Sequence, residues 1–245
     1  MNLTDNTILI TGGTSGIGLA FATRFAELGN KVIICGRRED RLNRIGLEYP
    51  NIITKVADVA DAAQREELAK WLLENHPDIN ILMNNAGTQL AVDLTHAVAT
   101  ETIREEVETN LVAPIHLASL FAEHLATKNE AAIINISSGL AFVPLAFMPV
   151  YCATKAAIHS YSMSLRFQMR KTSVKVFEIA PPSVDTELGH QRRSDKNQTH
   201  GGIPVSVFLE EAMDALKNDQ LEAPIADSKH LREKGEGAFP FLNRD

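Results

Sequence analysis

The sequence predicts an α/β fold built on a doubly wound parallel sheet of about six to seven strands, with helices on both faces. Short apolar runs alternate along the chain with longer segments of helical period. Several runs are apolar at consecutive positions, as expected for strands that are covered on both faces. A cluster of glycines stands between the first run and the first helical segment. Such alternation implies right-handed crossovers, so the sheet is expected to be Rossmann-like.

The predicted elements follow in chain order. Strands are predicted at residues 7–11, 31–35, 52–56, 79–84, 132–137 and 174–180, with residues 222–226 as a candidate seventh strand. Helices are predicted at about 16–29, 38–48, 61–75, 101–128 and 150–171. No linker, repeat or low-complexity block interrupts the alternation, so residues 1–245 are interpreted as a single domain.

Two segments depart from this alternation. Residues 183–204 are polar and contain glycines, which is equally typical of a surface loop and of a mobile cover over a substrate. Residues 227–245 are charged and then carry the apolar run Ala-Phe-Pro-Phe-Leu. We expect this run to dock on the core or on another subunit.

The composition argues against several classes of function. The chain has 24 Lys and Arg residues against 31 Asp and Glu residues, so no basic excess is available for a nucleic-acid partner. Its two cysteines, Cys35 and Cys152, provide no disulfide framework and suit a reducing compartment. The sequence has no secretory signal and no run of about 18 apolar residues, so we expect a cytoplasmic protein with no membrane partner. No metal site is expected.

A glycine cluster follows the first predicted strand directly. The spacing is Gly-x-x-x-Gly-x-Gly, and a helix is predicted immediately after it. Glycines let a backbone approach a pyrophosphate, and the N-terminus of the next helix offers N–H groups to the anion. Glycines also form ordinary turns, but this position favours a dinucleotide site. The expected cofactor contacts are Gly12, Thr14, Ser15, Gly16, Ile17 and Gly18.

The end of the second predicted strand bears on the choice of cofactor. An NAD site usually has an acidic residue here for the ribose 2′-hydroxyl, whereas this chain has Gly36, then Arg37 and Arg38. A guanidinium can pair with a 2′-phosphate, so NADP(H) is favoured over NAD(H), unless the arginines merely solvate a helix start. Farther along, Asp58 with Val59 is expected either to contact the adenine or to cap the next helix.

Four polar residues form a candidate catalytic group. Tyr151 and Lys155 are four apart in a predicted helix and share one face, where the ammonium would lower the pKa of the phenol. Ser138 follows the fifth predicted strand, at the edge where ligands bind open α/β sheets, although a strand-end cap is the alternative. Asn110 lies in a predicted helix, which asparagine disfavours, and is either functional or a buried amide.

These motifs occur together and in order. Over roughly residues 6–226 the chain resembles the compact, single-domain short-chain dehydrogenases/reductases. The motifs that carry the resemblance are Thr11-Gly12-x-x-x-Gly16-Ile17-Gly18, Asn84-Asn85-Ala86-Gly87, Asn110, Ser138 and Tyr151-x-x-x-Lys155. The resemblance implies that Tyr151 is the general acid/base and that Ser138 orients the substrate oxygen. It also implies that Lys155 binds the nicotinamide ribose and that Asn110 holds a water in a proton relay.

The same resemblance assigns further residues to cofactor binding. Asn85 and Ala86 would lie beside the adenosine half, and Thr186 would contact the nicotinamide carboxamide. The full set that it adds to the glycine cluster and the arginines is Asp58, Val59, Asn85, Ala86, Gly87, Tyr151, Lys155, Pro181, Val184 and Thr186.

The chain also departs from the family pattern. Pro181-Pro182 replaces the usual Pro-Gly after the sixth strand, which removes an N–H and stiffens the backbone on the nicotinamide side. The usual C-terminal strand and glycine-rich turn are missing, which bears on the usual tetramer. The stretches around Ser138 and Pro181 are similar to a bacterial subgroup that is often encoded beside the genes for D-alanylation of teichoic acids.

The predicted function is hydride transfer between NADP(H) and a carbonyl or secondary alcohol, a small-molecule substrate that Leu140, Phe142 and Phe147 are expected to face. One alternative is an NADP(H)-binding sensor or scaffold with little or no turnover. A second is an enzyme of the same fold that uses the nucleotide for epimerisation or dehydration. By family resemblance, a homodimer or homotetramer is expected to pair through the helices at about 101–128 and 150–171.

Overall fold

The computed structural model describes residues 1–188 and 201–243. Within them the strands are β1 (Thr7–Thr11), β2 (Lys31–Gly36), β3 (Ile52–Val56), β4 (Ile81–Asn84), β5 (Ala131–Ile136), β6 (Val174–Ala180) and β7 (Glu222–Pro224). All seven are parallel and form one sheet in the order β3-β2-β1-β4-β5-β6-β7. The predicted α/β, doubly wound sheet is confirmed, and the candidate seventh strand is present at its edge.

Helices lie between these strands and after the last of them. They are α1 (Gly16–Glu27), α2 (Glu39–Glu48), α3 (Ala62–Asn75), α4 (Thr100–Val107), α5 (Ala113–Ala126), α6 (Pro149–Met169), α7 (Val205–Lys217), α8 (Ser228–Lys234) and α9 (Phe239–Leu242). Short 3₁₀ helices occupy Gly139–Ala141 and Gly235–Ala238. Among the described helices, none is both long and apolar enough to cross a lipid bilayer.

The strands are buried on both faces because their alternate side chains enter two separate cores. On one face Ile8 packs in a cluster with Phe21 of α1 and Phe208 of α7. On the other face Leu9, the next residue of β1, packs in a cluster with Phe121 of α5 and with side chains of α3 and α6. This two-sided burial is the reason that the strands read as continuous apolar runs in the sequence.

The strand order places a switch point between β1 and β4. The chain winds outward from β1 through β2 to β3, crosses back, and winds the other way through β4 to β7. At such a point the connections leave β1 and β4 on opposite faces and open a crevice at the carboxyl edge of the sheet. The glycine cluster after β1 and the Asn84-Asn85 pair at the end of β4 both lie at this crevice.

The structure differs from the sequence prediction at the helix expected over residues 101–128. A π-helical turn, Glu108–Val112, separates α4 from α5. Pro114, at the start of α5, explains why a regular α-helix cannot run through: proline has no N–H to donate to the carbonyl of residue 110. Helix α7, whose apolar face covers the core through Phe208, was also not predicted from the sequence.

The C-terminal segment docks on the body of the same chain. The side-chain amide of Asn243 donates to the Pro144 carbonyl (3.0 Å), and its Oδ1 accepts from the Ala146 N–H (2.6 Å). Asn243 therefore anchors the segment to the loop after β5, whereas docking of the apolar run itself on the core or on another subunit stays a prediction. The apolar run stays partly exposed, with Phe241 69% accessible.

Candidate active site

The backbone after β1 is shaped by glycines. Gly12 and Gly16 have positive φ angles of 67° and 53°, in the left-handed region that favours glycine. A Cβ atom at Gly18 would lie 2.3 Å from Nδ2 of Asn85 and 2.5 Å from the Gly12 carbonyl oxygen. The turn therefore packs too closely for side chains at these positions, which leaves bare backbone at the crevice, as anion binding requires.

Asn85 braces this glycine turn. Its side-chain amide donates to the carbonyl oxygens of Thr11 (2.9 Å) and Gly12 (3.3 Å). In return the Thr11 hydroxyl accepts from the backbone N–H groups of Asn85 (3.1 Å) and Ala86 (3.0 Å). The ends of β1 and β4 are thus tied together across the switch point, a role for Asn85 that the sequence did not predict.

Arg38 stands beside the start of α1. Its Nη2 donates to the hydroxyls of Thr14 (2.8 Å) and Ser15 (3.0 Å). Ser15 occupies the N-cap position of α1, but its side chain makes no cap hydrogen bond. A guanidinium and a helix N-terminus, both favourable to an anion, are therefore next to each other at the crevice.

The structure separates two arginines that the sequence analysis treated together. Arg37 is half-exposed, and its guanidinium lies 3.7 Å from the Glu105 carboxylate of α4. Arg38 and Arg41 instead both pair with Glu187, at 3.5 Å and 2.5 Å. Arg38, with Arg41 one turn later in α2, is consequently a better candidate for a 2′-phosphate than Arg37. Arg41 and Glu187 were not among the residues predicted from the sequence.

Asp58 lies in the turn after β3. Its Oδ1 accepts from the Ala60 N–H at 3.0 Å, which closes the turn. The helix that follows is capped by Asp61, whose Oδ1 accepts from the Gln64 N–H at 3.1 Å. The cap interpretation of Asp58 is therefore wrong, because the N-cap residue, Asp61, lies three residues later. Contact of Asp58 and the buried Val59 with an adenine stays a prediction.

The structure brings together Ser138, Tyr151 and Lys155. Ser138 follows β5, its hydroxyl accepts from the Leu140 N–H (3.1 Å), and it lies close enough to the Tyr151 phenol to lower the pKa of that group. Lys155 lies one turn of α6 beyond Tyr151, with Nζ 5.6 Å from the centre of the phenol ring. The ammonium donates to the Ile136 carbonyl at 2.8 Å. All three side chains are buried.

Burial dominates the pKa values in this group. Burial raises the pKa of Tyr151 above its ordinary value, and the nearby Ser138 hydroxyl offsets only part of that rise. Burial also lowers the pKa of Lys155 to about 8. Removal from water penalises the charged form of each group, and the lysine donates to Ile136 instead of the phenol oxygen. Lys155 is thus not among the groups that shift the pKa of Tyr151 in this arrangement, and a lowering of that pKa by Lys155 stays a prediction.

Asn110 occupies the π-helical turn between α4 and α5. Its side chain forms a two-way link with Thr88: Oδ1 accepts from the Thr88 N–H and Nδ2 donates to the Thr88 carbonyl, both at 2.8 Å. Nδ2 also donates to the Thr154 hydroxyl (3.2 Å), next to the Tyr151 peptide in α6. Asn110 is thus a buried amide that ties the loop after β4 to α6, and a functional role for it stays a prediction. π turns are frequent at functional sites.

Comparison with known proteins identifies the family. Residues 6–197 match the profile of the short chain dehydrogenases. The chain belongs to the short-chain dehydrogenase family. It is 50% identical over 223 residues to "Uncharacterized oxidoreductase DltE" of Bacillus subtilis (strain 168), covering 91% of this chain and 88% of that protein. The NADP-dependent 3-hydroxy acid dehydrogenase YdfG of Salmonella typhi is 36% identical over 196 residues, 79% of each protein.

A solved structure agrees with this assignment. The short-chain dehydrogenase of Sphingobium yanoikuyae, in complex with NADPH, superposes with a TM-score of 0.83 at 26% identity and covers 93% of this chain and 92% of that one. Short-chain dehydrogenases are oxidoreductases with a nicotinamide cofactor, so the predicted enzyme class is confirmed. The similarity to DltE fits the predicted subgroup.

The segment after β6 crosses the crevice of this short-chain dehydrogenase. The carbonyl of Pro181 accepts from the Gly139 N–H (2.8 Å), which ties the end of β6 to the loop after Ser138. Pro182, the departure from the usual family pattern, offers no donor at the next position. The Pro181 carbonyl is therefore held in place by the chain itself, independently of the residue that follows.

The same segment comes close to the glycine turn. Val184 forms a parallel bridge with Ile203, which closes the base of the predicted cover at residues 183–204. A Cβ atom at Gly16 would lie 3.1 Å from Cβ of Thr186. Residues 189–200 of the predicted cover lie outside the described part of the chain. The glycine turn and Thr186 enclose the bare backbone beside Arg38, an arrangement that fits a dinucleotide cofactor.

Glu106 is a further residue at this site, which the sequence analysis missed. Its side chain is fully buried, and Oε1 accepts from the Leu90 N–H at 3.0 Å. Its charge counteracts the effect of burial on the pKa of Lys155. In the sequence, Glu106 belongs to a run of charged residues typical of an exposed helix. Its position four residues before Asn110 places both side chains on one helix face, the signal that could have identified it.

Proposed function

We propose that this short-chain dehydrogenase transfers a hydride between NADP(H) and a carbonyl or secondary alcohol. The observation that carries the proposal is the buried group of Ser138, Tyr151 and Lys155 at the carboxyl edge of the sheet. The group lies on the side of the switch point where the glycine turn, Asn85 and Arg38 prepare a dinucleotide site. Proton transfer and nucleotide binding are thus available at one crevice.

Each member of the group has a role that its environment supports. A bound nicotinamide supplies the hydride chemistry. Tyr151, whose raised pKa keeps the phenol protonated, donates its proton to the substrate oxygen during reduction. Ser138 polarises the same oxygen as the second hydrogen-bond donor. Lys155 has a pKa of about 8 and can therefore hold or release a proton near neutral pH to restore the phenol.

Asn110 completes the proposed proton relay through its backbone. Its carbonyl has no α-helical donor, because residue 114 is proline. A carbonyl of this kind can accept from a water molecule near Lys155. The Asn110 side chain is already bonded to Thr88 and Thr154, so its proposed contribution is to hold the π turn in shape.

NADP(H) is the proposed cofactor. The guanidinium of Arg38 lies at the start of α1, and Arg41 adds a second positive charge beside it. A Cβ atom at Gly36 would lie 2.9 Å from Cγ2 of Thr14, so the acidic residue of an NAD site has little room. A relative named as NADP-dependent and a neighbour solved with NADPH support this choice.

The loop after β5 is the proposed wall of the substrate site. Phe147 is 53% exposed, and Leu140 and Phe142 are half-buried. Asn243 of the C-terminal segment holds residues 144–146 of this loop from behind. The apolar wall suits a carbonyl compound with an apolar substituent. The relative named as a 3-hydroxy acid dehydrogenase makes 3-hydroxy acids the first class to test.

The test combines nucleotide binding with turnover. Wild type should oxidise NADPH in the presence of at least one carbonyl compound of a panel that includes 3-oxo acids. Tyr151→Phe should bind NADPH with unchanged affinity but turn over about 100- to 10,000-fold more slowly, because it lacks the proton donor. Tight NADPH binding by wild type without turnover of any compound would instead support the sensor or scaffold alternative. Substrate conversion without net NADPH consumption would support epimerisation or dehydration.

We also propose that residues 1–245 act as one cytoplasmic domain that forms a homodimer or homotetramer. Met163 and Phe167, one turn apart on α6, are 50% and 66% exposed, and their shared face can pair with a second copy. The free, buried cysteines Cys35 and Cys152 suit a reducing compartment. Sedimentation should give a mass that is a multiple of the 26.9 kDa chain, and a monomer at micromolar concentration would contradict the pairing.

A further inference from the structure

A cluster of three potential metal ligands lies behind the loop that follows Ser138. His159 comes from α6, one turn beyond Lys155, Glu178 from the middle of β6, and Glu222 from the start of the edge strand β7. One ligand atom from each residue can be chosen so that all three lie within 4.8 Å of one another. The members are far apart in the sequence and form no motif, which is why no metal site was expected.

The closest pair is already in hydrogen-bond contact. Nδ1 of His159 lies 2.8 Å from Oε2 of Glu178. The ring of Phe142 packs edge-on against His159, with centroids 5.1 Å apart, and restricts its rotation. Histidine in this position presents a nitrogen toward the carboxylates. Histidine nitrogen with two carboxylate oxygens is a donor set typical of Zn²⁺ and related divalent transition metals.

The side chain of Glu178 independently indicates that a cation can bind in this cluster. Its side chain is completely buried, yet Oε1 has no hydrogen-bond donor among the residues that the structure describes. A buried carboxylate oxygen without a donor is costly, since it has lost its water without replacement. A cation bound between Glu178, His159 and Glu222 would satisfy this oxygen.

An ion can reach the cluster from solvent, and one carboxylate oxygen of Glu222 is available to bind it. The side chains of His159 and Glu222 are 18% and 25% exposed, so the cluster reaches solvent. Arg232 of α8 donates to Oε1 of Glu222 at 2.5 Å, which leaves Oε2 available as a ligand. Arg232 lies over the ring of Phe142 and thereby holds Glu222 at the edge of the cluster.

We propose that His159, Glu178 and Glu222 form a binding site for one divalent transition-metal ion of the Zn²⁺ type, with solvent as the remaining ligand. Such an ion would join α6, β6 and β7 through three side chains. It would fasten the short edge strand β7 to the helix that carries Tyr151 and Lys155. The site is separate from the proposed hydride transfer and does not depend on it.

The test is titration of the full-length, chelator-treated protein with Co²⁺, followed by d–d absorption, with competition by Zn²⁺. Wild type should bind one Co²⁺ per chain with the spectrum of a four- or five-coordinate site, and Zn²⁺ should abolish the spectrum. His159→Asn and Glu222→Gln each remove one ligand and should weaken binding at least about 100-fold. Glu222→Gln changes a partly exposed side chain without changing its shape, so it should leave folding intact.

A matched control comes from the surface of the same chain. Nδ1 of His96 lies 3.2 Å from Oδ2 of Asp93, but both side chains are exposed, and no third potential ligand lies near them among the residues that the structure describes. His96→Asn should therefore bind Co²⁺ as wild type does. Failure of wild type to bind Co²⁺ or Zn²⁺ would overturn the proposal. So would wild-type affinity in both His159→Asn and Glu222→Gln with their circular dichroism unchanged.

Discussion

Replacing Arg38 by alanine removes the guanidinium that donates to Thr14 and Ser15 at the start of α1. A hydrogen bond to a charged group contributes about 1.5–3 kcal/mol, and the one-third exposure of this side chain favours the lower part of that range. We therefore expect NADPH to bind about 10- to 30-fold more weakly to Arg38→Ala, the equivalent of about 1.5–2 kcal/mol. NADH lacks the 2′-phosphate and should lose less than about threefold.

Arg37→Ala is the matched control for this experiment. Its guanidinium is half-exposed and faces Glu105 at 3.7 Å, away from Thr14 and Ser15. An exposed ion pair of this kind contributes about 0–1 kcal/mol, so both nucleotides should bind nearly as they do to wild type. Isothermal titration calorimetry with NADPH and NADH on the three proteins measures every quantity needed. An equal loss of both nucleotides in Arg38→Ala, or a larger loss of NADPH in Arg37→Ala, would refute the reasoning.

Three further predictions test the site and its packing. Gly18→Ala should weaken binding of both nucleotides at least about tenfold by calorimetry, because its Cβ atom would collide with the glycine turn. The control is Gly46→Ala in α2, where the nearest neighbour of the added Cβ atom lies 3.8 Å away, and this variant should bind both nucleotides normally. Asn110→Ala leaves the N–H and carbonyl of Thr88 without their partner and should lower the free energy of unfolding in urea by about 2 kcal/mol; a loss below about 0.5 kcal/mol would contradict this. Lys155→Met should be more stable than wild type near neutral pH, and this advantage should shrink as the pH rises from about 8 toward about 10; a constant advantage would contradict the burial of the ammonium.

The sign of the last prediction follows from proton binding. The pKa of Lys155 is about 8 in the folded protein, below the value of about 10.4 for a free lysine. Between these values the unfolded chain binds more protons than the folded chain, so the contribution of this group to stability rises with pH. Other buried groups, including Cys35, also titrate at high pH, but they are common to both proteins and cancel in the difference.

The strands and the glycine turn could be predicted from the sequence because they depend on local patterns. Apolar runs indicate strands that are buried on both faces, and the glycines indicate a tight turn. In that turn Asn85 and Gly12 leave no room for a Cβ atom at Gly18. The shared face of Tyr151 and Lys155 follows from helix geometry alone. These features need no knowledge of which distant elements pack together.

The directions of long side chains could not be predicted in the same way. Arg37 and Arg38 are adjacent in the sequence, but one faces Glu105 and the other the glycine turn, because the partners lie on elements far apart in the chain. The pKa of Tyr151 depends on burial by the whole fold, which no local spacing records. The interruption of the α-helix at Asn110 could have been predicted from Pro114, because proline lacks the N–H that would donate to the Asn110 carbonyl.

The most direct test of the proposed chemistry follows a label from cofactor to substrate. NADPH carrying deuterium at the transferred C4 position would be incubated with wild type or Tyr151→Phe and a panel of carbonyl compounds that includes 3-oxo acids. Mass spectrometry of the alcohols should find deuterium on the carbinol carbon with wild type. With Tyr151→Phe the amount of labelled alcohol should be at least about 100-fold smaller. Tight binding of NADPH without labelled alcohol from any compound would contradict hydride transfer as the function.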